Sequence, residues 1–183
     1  MEATLRDIKT VLDGAAGIQG YALIGAFAMG AWVSPRTTMD LDVLVSVFRR
    51  PGQVMGAVRS DLISREWLVA LYSGEHPNIP HRLRAQSPRG VAVDLIFGLS
   101  AIHKRIVRES DTVKIGKRLR FPIAGPEAIV VLKLIAGRRQ DLIDAERLLA
   151  EAELDEVFLF SLARQAKVEK DVRRVARRAG WPI

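Results

Sequence analysis

The stretch "IGAFAMGAWVSPRTTMDLDVLV", residues 24–45, places two aspartates one residue apart at the head of a run that otherwise reads as a buried strand. Successive side chains of a strand alternate faces, so Asp40, Asp42 and Leu44 share one face and Leu41, Val43 and Val45 the other. A two-residue rise sets the carboxylates roughly 7 Å apart. At an effective dielectric of about 20 they repel by about 2 kcal/mol, which calls for a compensating cation. "VAVDLIFG", residues 91–98, poses the same problem: Val91, Val93, Leu95 and Phe97 take one face and leave Asp94 on the other with Ala92 and Ile96. If this strand lies beside residues 40–46, three carboxylates converge at one rim of a sheet. Hard oxygen donors with no His or Cys among them suit Mg²⁺ or Mn²⁺ rather than zinc. The plainer alternative is that each aspartate caps a turn or pairs with an arginine such as Arg36 or Arg82.

Upstream, "YALIG" reads as a short buried strand running into the small-residue helix "AFAMGAWV". Gly25 then sits at a strand-to-helix turn, where a missing side chain lets a phosphate approach the backbone and the first helical N–H groups are free to bind it. A tight turn requiring positive φ explains the same glycine equally well. The rest of the chain alternates in the same way. Leu5, Ile8, Val11 and Leu12 give an opening amphipathic helix over 3–13, and residues 53–63 give another after the turn "RRPG". "WLVALYS", "HRLRAQ" and "VAVDLIFG" are strands, with "GEHPNIP" as the loop between the first two, and "TVKIGKRLRFPI" is a hairpin about Gly116. Pro126 and Glu127 open a helical region that runs to Gly180 in three or four helices. The expected fold class is α+β (α/β-type): a mixed sheet flanked by helices over 1–125, with a C-terminal helical segment over 126–183 packed on it.

Composition restricts the function classes. The chain has 183 residues, 49% hydrophobic and 27% charged, which excludes a disordered chain. Lys and Arg total 28 against 21 for Asp and Glu, a surplus of +7 that favours polyanionic partners. The absence of cysteine excludes disulfides, thiolate metal sites and thiol nucleophiles, and it suits a reducing compartment. "MEATLRDIKTVLDG" lacks the basic start and apolar core of a signal peptide, and no apolar run is long enough for a bilayer, so a cytoplasmic protein with no membrane contact is expected.

Taken together, "IGAFAMGAWVSPRTTMDLDVLV", "VDLIFG" and "VLKLIAGRRQDLIDAERLL" resemble the polymerase-β-like nucleotidyltransferase superfamily, and within it the bacterial abortive-infection-type, toxin-like nucleotidyltransferases. The resemblance covers residues 20–46, 91–98 and 126–149. It implies the nucleotidyltransferase fold and transfer of a nucleoside monophosphate from an NTP to an acceptor hydroxyl. Asp40, Asp42 and Asp94 would be both metal ligands and catalytic residues, with Asp94 also drawing the acceptor proton. Gly25 and Ala26 would cradle phosphates within reach of Arg36 and Thr38, and Lys133 would bind the triphosphate. Asp141 and Asp144 would orient Lys133 or Arg138, although helix salt bridges account for them as well. Ala26 departs from the pattern, which has Gly or Ser there, so only its backbone N–H remains for a phosphate.

The acceptor stays open among RNA, a protein side chain and a small molecule such as an aminoglycoside, and a cognate antitoxin is an implied partner. Two other readings compete: a catalytically silent nucleotidyltransferase fold acting as an interaction module, and a basic RNA-binding domain. The basic stripe Lys170, Arg173, Arg174, Arg177 and Arg178 fits either a solvated helix face or an RNA contact. Trp32 and Trp67 are expected in the core, and His76, His81 and His103 as surface or hydrogen-bonding residues.

Overall fold

In a computed structural model, residues 1–34, 38, 40–48, 50–72 and 81–182 are described. The element order is α1 (Glu2–Gly14), β1 (Ile18–Ile24), α2 (Gly25–Met29), β2 (Asp40–Val47), α3 (Pro51–Ser64), β3 (Leu68–Tyr72), β4 (His81–Gln86), β5 (Ala92–Gly98), α4 (Ala101–Arg108), β6 (Asp111–Ile115), β7 (Leu119–Ile123), α5 (Pro126–Ala136), α6 (Arg139–Glu151), α7 (Glu156–Gln165) and α8 (Glu169–Ala179). Among the described residues the seven strands form one mixed sheet in the order β3-β4-β5-β2-β1-β7-β6. The β2–β5 and β1–β7 pairs are parallel, and the others antiparallel. The fold is α+β, as the alternation of strand and helix patterns predicts.

The two faces of the sheet have different fates. Leu41, Val43, Val45, Leu83, Ala85, Val93, Leu95 and Phe97 are all buried, on the side where α3 packs over β3, β4 and β5 and against α1. On the opposite side α4 covers the far halves of β1 and β2, where Leu44 and Ser46 are buried. Over β3 and β4 that second face is uncovered: Leu68 is 72% exposed and Tyr72 48%. Helices α5–α8 pack on one another, and α5 also packs on α2. One apolar cluster runs from Leu5 to Ala176, so the C-terminal helices share the core of the sheet.

Several elements differ from the sequence expectation. Strand β1 begins at Ile18 rather than Tyr21, and α2 stops at Met29, where Gly30 follows, rather than reaching Val33. Helix α4 is an addition, with the Ser100 hydroxyl accepting from the His103 N–H at its start and Ile106 buried beneath it. This packing overturns one histidine expectation. The His103 ring lies against Gly98, and its Nδ1 is buried with no hydrogen bond. Burial alone pulls its pKa below the ordinary value. His76 lies outside the described residues, and His81 is half-buried. Trp67 is core, whereas Trp32 is half-buried and donates Nε1–H to the Ala124 carbonyl at 2.9 Å.

Leu95 is fully buried on the α3 side of the sheet. We expect Leu95→Ala to lower unfolding free energy by about 2–5 kcal/mol, read as a shifted urea midpoint at unchanged slope.

Candidate active site

The parallel pairing of β2 with β5 aligns Asp40 with Ala92 and Asp42 with Asp94. Side-chain alternation then sends all three acids to the half-open face. Asp94 is 8% exposed, while the Asp40 side chain is 48% exposed at the rim. On the other flank β1 runs antiparallel to β2 and pairs Ile24 with Asp42, so the next residue, Gly25, lies against the Asp42 carboxylate. Gly25 has φ +71°, and any Cβ there would collide with Asp42 Oδ2. Two independent requirements thus hold glycine at this turn: a left-handed backbone, and room for the acid.

The cations that offset the acids come from two directions. In β4, Arg84 pairs with Asp94 in register, and its guanidinium forks between two acids. Nη1 donates to Asp94 Oδ2 at 3.1 Å and Nη2 to Asp40 Oδ2 at 3.2 Å. Arg82 Nε reaches Asp94 Oδ1 only at 3.8 Å, and its guanidinium lies over the Tyr72 ring at 4.6 Å. Asp94 Oδ1 is buried and accepts no hydrogen bond. From the helical side comes Lys133 of α5, only 11% exposed, whose ammonium donates to Asp141 Oδ1 at 2.8 Å and Asp144 Oδ2 at 2.7 Å. Gln140 Nε2 donates to the other oxygen of Asp144 at 3.0 Å. Burial alone would lower the Lys133 pKa, but its hydrogen bonds to Asp141 and Asp144 outweigh that and hold it above the ordinary value.

Asp42 carries the electrostatic imbalance. Burial first, and then the Asp94 charge, push its pKa from 3.8 up to about 6, with Asp40 adding to the rise and Lys133 and Arg84 opposing it. A carboxyl poised there is half-ionised at about pH 6, well above the ordinary aspartate range.

The structure therefore brings Asp40, Asp42, Asp94, Gly25 and Lys133 into one neighbourhood, with Asp141 and Asp144 behind the lysine. Thr38 contributes locally, its hydroxyl donating to the Asp40 carbonyl at 3.3 Å where β2 begins. Ala26 follows Gly25 in the first turn of α2 and presents only backbone. Arg36 lies outside the described residues. Arg84 was not named from the sequence, although the alternation of "HRLRAQ" puts Arg82, Arg84 and Gln86 on one strand face; what was missing was the β4–β5 register. Among the described residues no three acidic or histidine side chains close around a common point, since Arg84 stands between Asp40 and Asp94. The terminal basic stripe is largely spoken for: Arg173 pairs with Glu169 at 2.9 Å, Arg174 with Asp171 at 2.6 Å and Arg178 with Glu146 at 3.7 Å.

No family model matches the sequence, and no curated protein does. Solved structures do match. Over 93% of this chain the fold superposes on the nucleotidyltransferase toxin MenT4 of Mycobacterium tuberculosis H37Rv, with TM-score 0.52 and 16% identity. This chain has the nucleotidyltransferase fold. It spans 64% of the toxin's length. The antibiotic-resistance factor ANT(2'')-Ia superposes over 98% of this chain and 96% of its own, with TM-score 0.52 and 14% identity. At the level of fold, the resemblance first visible in residues 24–45 holds.

The raised pKa of Asp42 has a definite consequence for stability. Below pH 3.8 the carboxyl is protonated both folded and unfolded and contributes nothing; as pH rises to about 6 the unfolded chain ionises first, and folding loses stability. In EDTA, Asp42→Asn is expected to be more stable than wild type by about 2–3 kcal/mol at pH 7, with the gap closing below pH 4. Denaturant melts across that range check it, and a variant less stable at pH 7 would mark Asp42 as a structural partner.

Lys133→Ala is expected to cost about 3–5 kcal/mol, because it removes the ammonium that offsets the charge of buried Asp144. Its side chain is only 2% exposed. Thermal melts of Lys133→Ala check this, and a loss within about 0.5 kcal/mol would place the lysine on the surface instead.

Proposed function

We propose that the protein is a divalent-cation-dependent nucleotidyltransferase that moves a nucleoside monophosphate from an NTP to an acceptor hydroxyl. The observation that carries this reading is the alignment of Asp40, Asp42 and Asp94 on a half-open sheet face, with Gly25 pressed against one acid and a buried lysine behind it. The donor set fits Mg²⁺ or Mn²⁺, being all carboxylate oxygen, and Asp94 Oδ1 is a buried acceptor with no hydrogen bond. Asp40, Asp42 and Asp94 would hold the ion. When bound, it supplies charge neutralisation to the attacking and leaving oxygens of in-line displacement.

The chain's own residues do the rest. Gly25 and Ala26 bring no long side chain of their own to the turn, so triphosphate oxygens would meet backbone N–H groups. Lys133 supplies a fixed positive charge for the β and γ groups, held in place by Asp141 and Asp144 rather than left to rotate. Asp94 accepts the proton of the acceptor hydroxyl as the new O–P bond forms at the α-phosphorus. The α–β phosphoanhydride bond breaks, and pyrophosphate departs. In this reading the uncovered half of the sheet, on the Arg84 side, would receive the acceptor.

The acceptor is not chosen by the likenesses, since one matched protein is named a toxin and the other an antibiotic-resistance factor. RNA, a protein side chain and a small molecule all remain candidates, as does a cognate antitoxin as partner. Among the described residues no helix is long and apolar enough to cross a membrane. A second reading, a silent fold used as an interaction module, is favoured by Ala26, which offers no hydroxyl to a phosphate.

Incubation with each labelled NTP, Mg²⁺ and total RNA or cell lysate separates these readings. Label is expected on an acceptor with wild type and none with Asp42→Asn or Asp94→Asn, both folded. Label with Asp42→Asn equal to wild type would overturn the assignment, and no label with any NTP would favour the silent module.

A further inference from the structure

The acids at this site are already neutralised in part, and by a residue that can leave. Arg84 bridges Asp40 and Asp94 with one hydrogen bond to each, yet its own side chain is 42% exposed. Asp94, by contrast, is held in the sheet and 10% exposed at its side chain. A fork of this kind spans the two carboxylates from one side and satisfies one oxygen of each. Asp94 Oδ1 is left over, buried and without a hydrogen bond, with Arg82 no nearer than 3.8 Å. Asp94 Oδ1 thus has a distant ion-pair partner but no hydrogen-bond donor, a capacity that a bound cation would use.

We propose that Arg84 is a built-in counter-ion that occupies the cation position between Asp40 and Asp94, holds the acids together in the ion-free protein, and is displaced when a divalent ion binds. This rests on the metal-dependent reading above. Two positive charges cannot share the Asp40–Asp94 gap without strong repulsion. The exposed arginine moves because its guanidinium gains water on leaving, whereas the buried Asp94 carboxylate has nowhere to go. Arg82 does not take over, since its guanidinium is engaged on the Tyr72 ring. Ion affinity is thereby set by competition with a residue of the same chain, and the ion-free fold is protected from its own acids.

The test is Mn²⁺ binding, read as free-ion EPR signal without nucleotide, on wild type, Arg84→Gln, Arg84→Lys and Asp42→Asn, with melting temperature in EDTA and in Mn²⁺ beside it. Arg84→Gln is expected to bind Mn²⁺ about tenfold tighter than wild type or better. It should melt below wild type in EDTA and gain more than wild type on adding Mn²⁺. Arg84→Lys, which keeps the charge but cannot fork, should fall between, and it carries the test if the glutamine variant does not fold. Equal or weaker Mn²⁺ affinity in the Arg84 variants, with wild-type binding still lost in Asp42→Asn, overturns the counter-ion role while the metal site stands. No Asp42-dependent binding in wild type or variants removes the metal site itself, and the proposal with it.

Discussion

The register between β2 and β5 is the constraint on which everything else in the site depends. Leu41, Val43 and Val45 beside Val93, Leu95 and Phe97 make a continuous buried surface beneath α3. A slip of one residue in either strand would turn those side chains toward the open face and drive an aspartate into the core, at a cost of several kcal/mol for an unpaired buried charge. The hydrophobic effect therefore fixes the acids side by side, Asp42 against Asp94, without any device dedicated to that purpose. Having aligned them, the fold must then live with their repulsion.

It does so with cations of two kinds. Lys133 is a permanent member of the interior, tied by Asp141 and Asp144 into a network in which every charge has an opposite neighbour. Arg84 is a rim residue, exposed to much the same degree as Asp40 and far more than Asp94. In the proposed reading the distinction has a functional sense: the buried lysine would hold a bound group of fixed charge, and the exposed arginine would be exchanged. Neither fully offsets the crowding at Asp42, whose pKa remains at about 6 despite both.

Much of this was legible in the sequence, because period-two alternation is a local property. "DLDVLV" and "VAVDLIFG" each reveal which side their acids take, and the strand-glycine-helix order of residues 21–29 is visible without neighbours. What could not be read was lateral: which strand lies beside which, and in what register. Arg84 escaped for that reason, since its partners are 10 and 44 residues away. The stripe on α8 likewise has neighbours that the sequence does not reveal. A count of charges along one helix cannot register that Glu146, from α6, lies within reach of Arg178, or that the Arg173 guanidinium rests 4.5 Å over the Phe160 ring. Helix α4 had its signals, a Ser100 cap and an isoleucine pair at 102 and 106, but a short helix with a narrow apolar face is easily lost between two strand patterns.

The energetics bear on whether such a site could be merely structural. A buried acid costs stability unless it is paired, so a fold needing only a firm β4–β5 contact would be served at least as well by an apolar residue at 94. Here the chain instead carries three acids on one face, one with its pKa pushed up to about 6 and one with a buried oxygen that accepts no hydrogen bond. Each is a local departure from what stability favours, and they occur within one register step of one another. Departures scattered over a surface are ordinary; departures gathered against a glycine that has no room for a Cβ, beside a lysine held rigid by two carboxylates, have a common cause. The ligand proposed above, with anionic oxygens toward Gly25 and Lys133 and a cation among the acids, would account for that gathering.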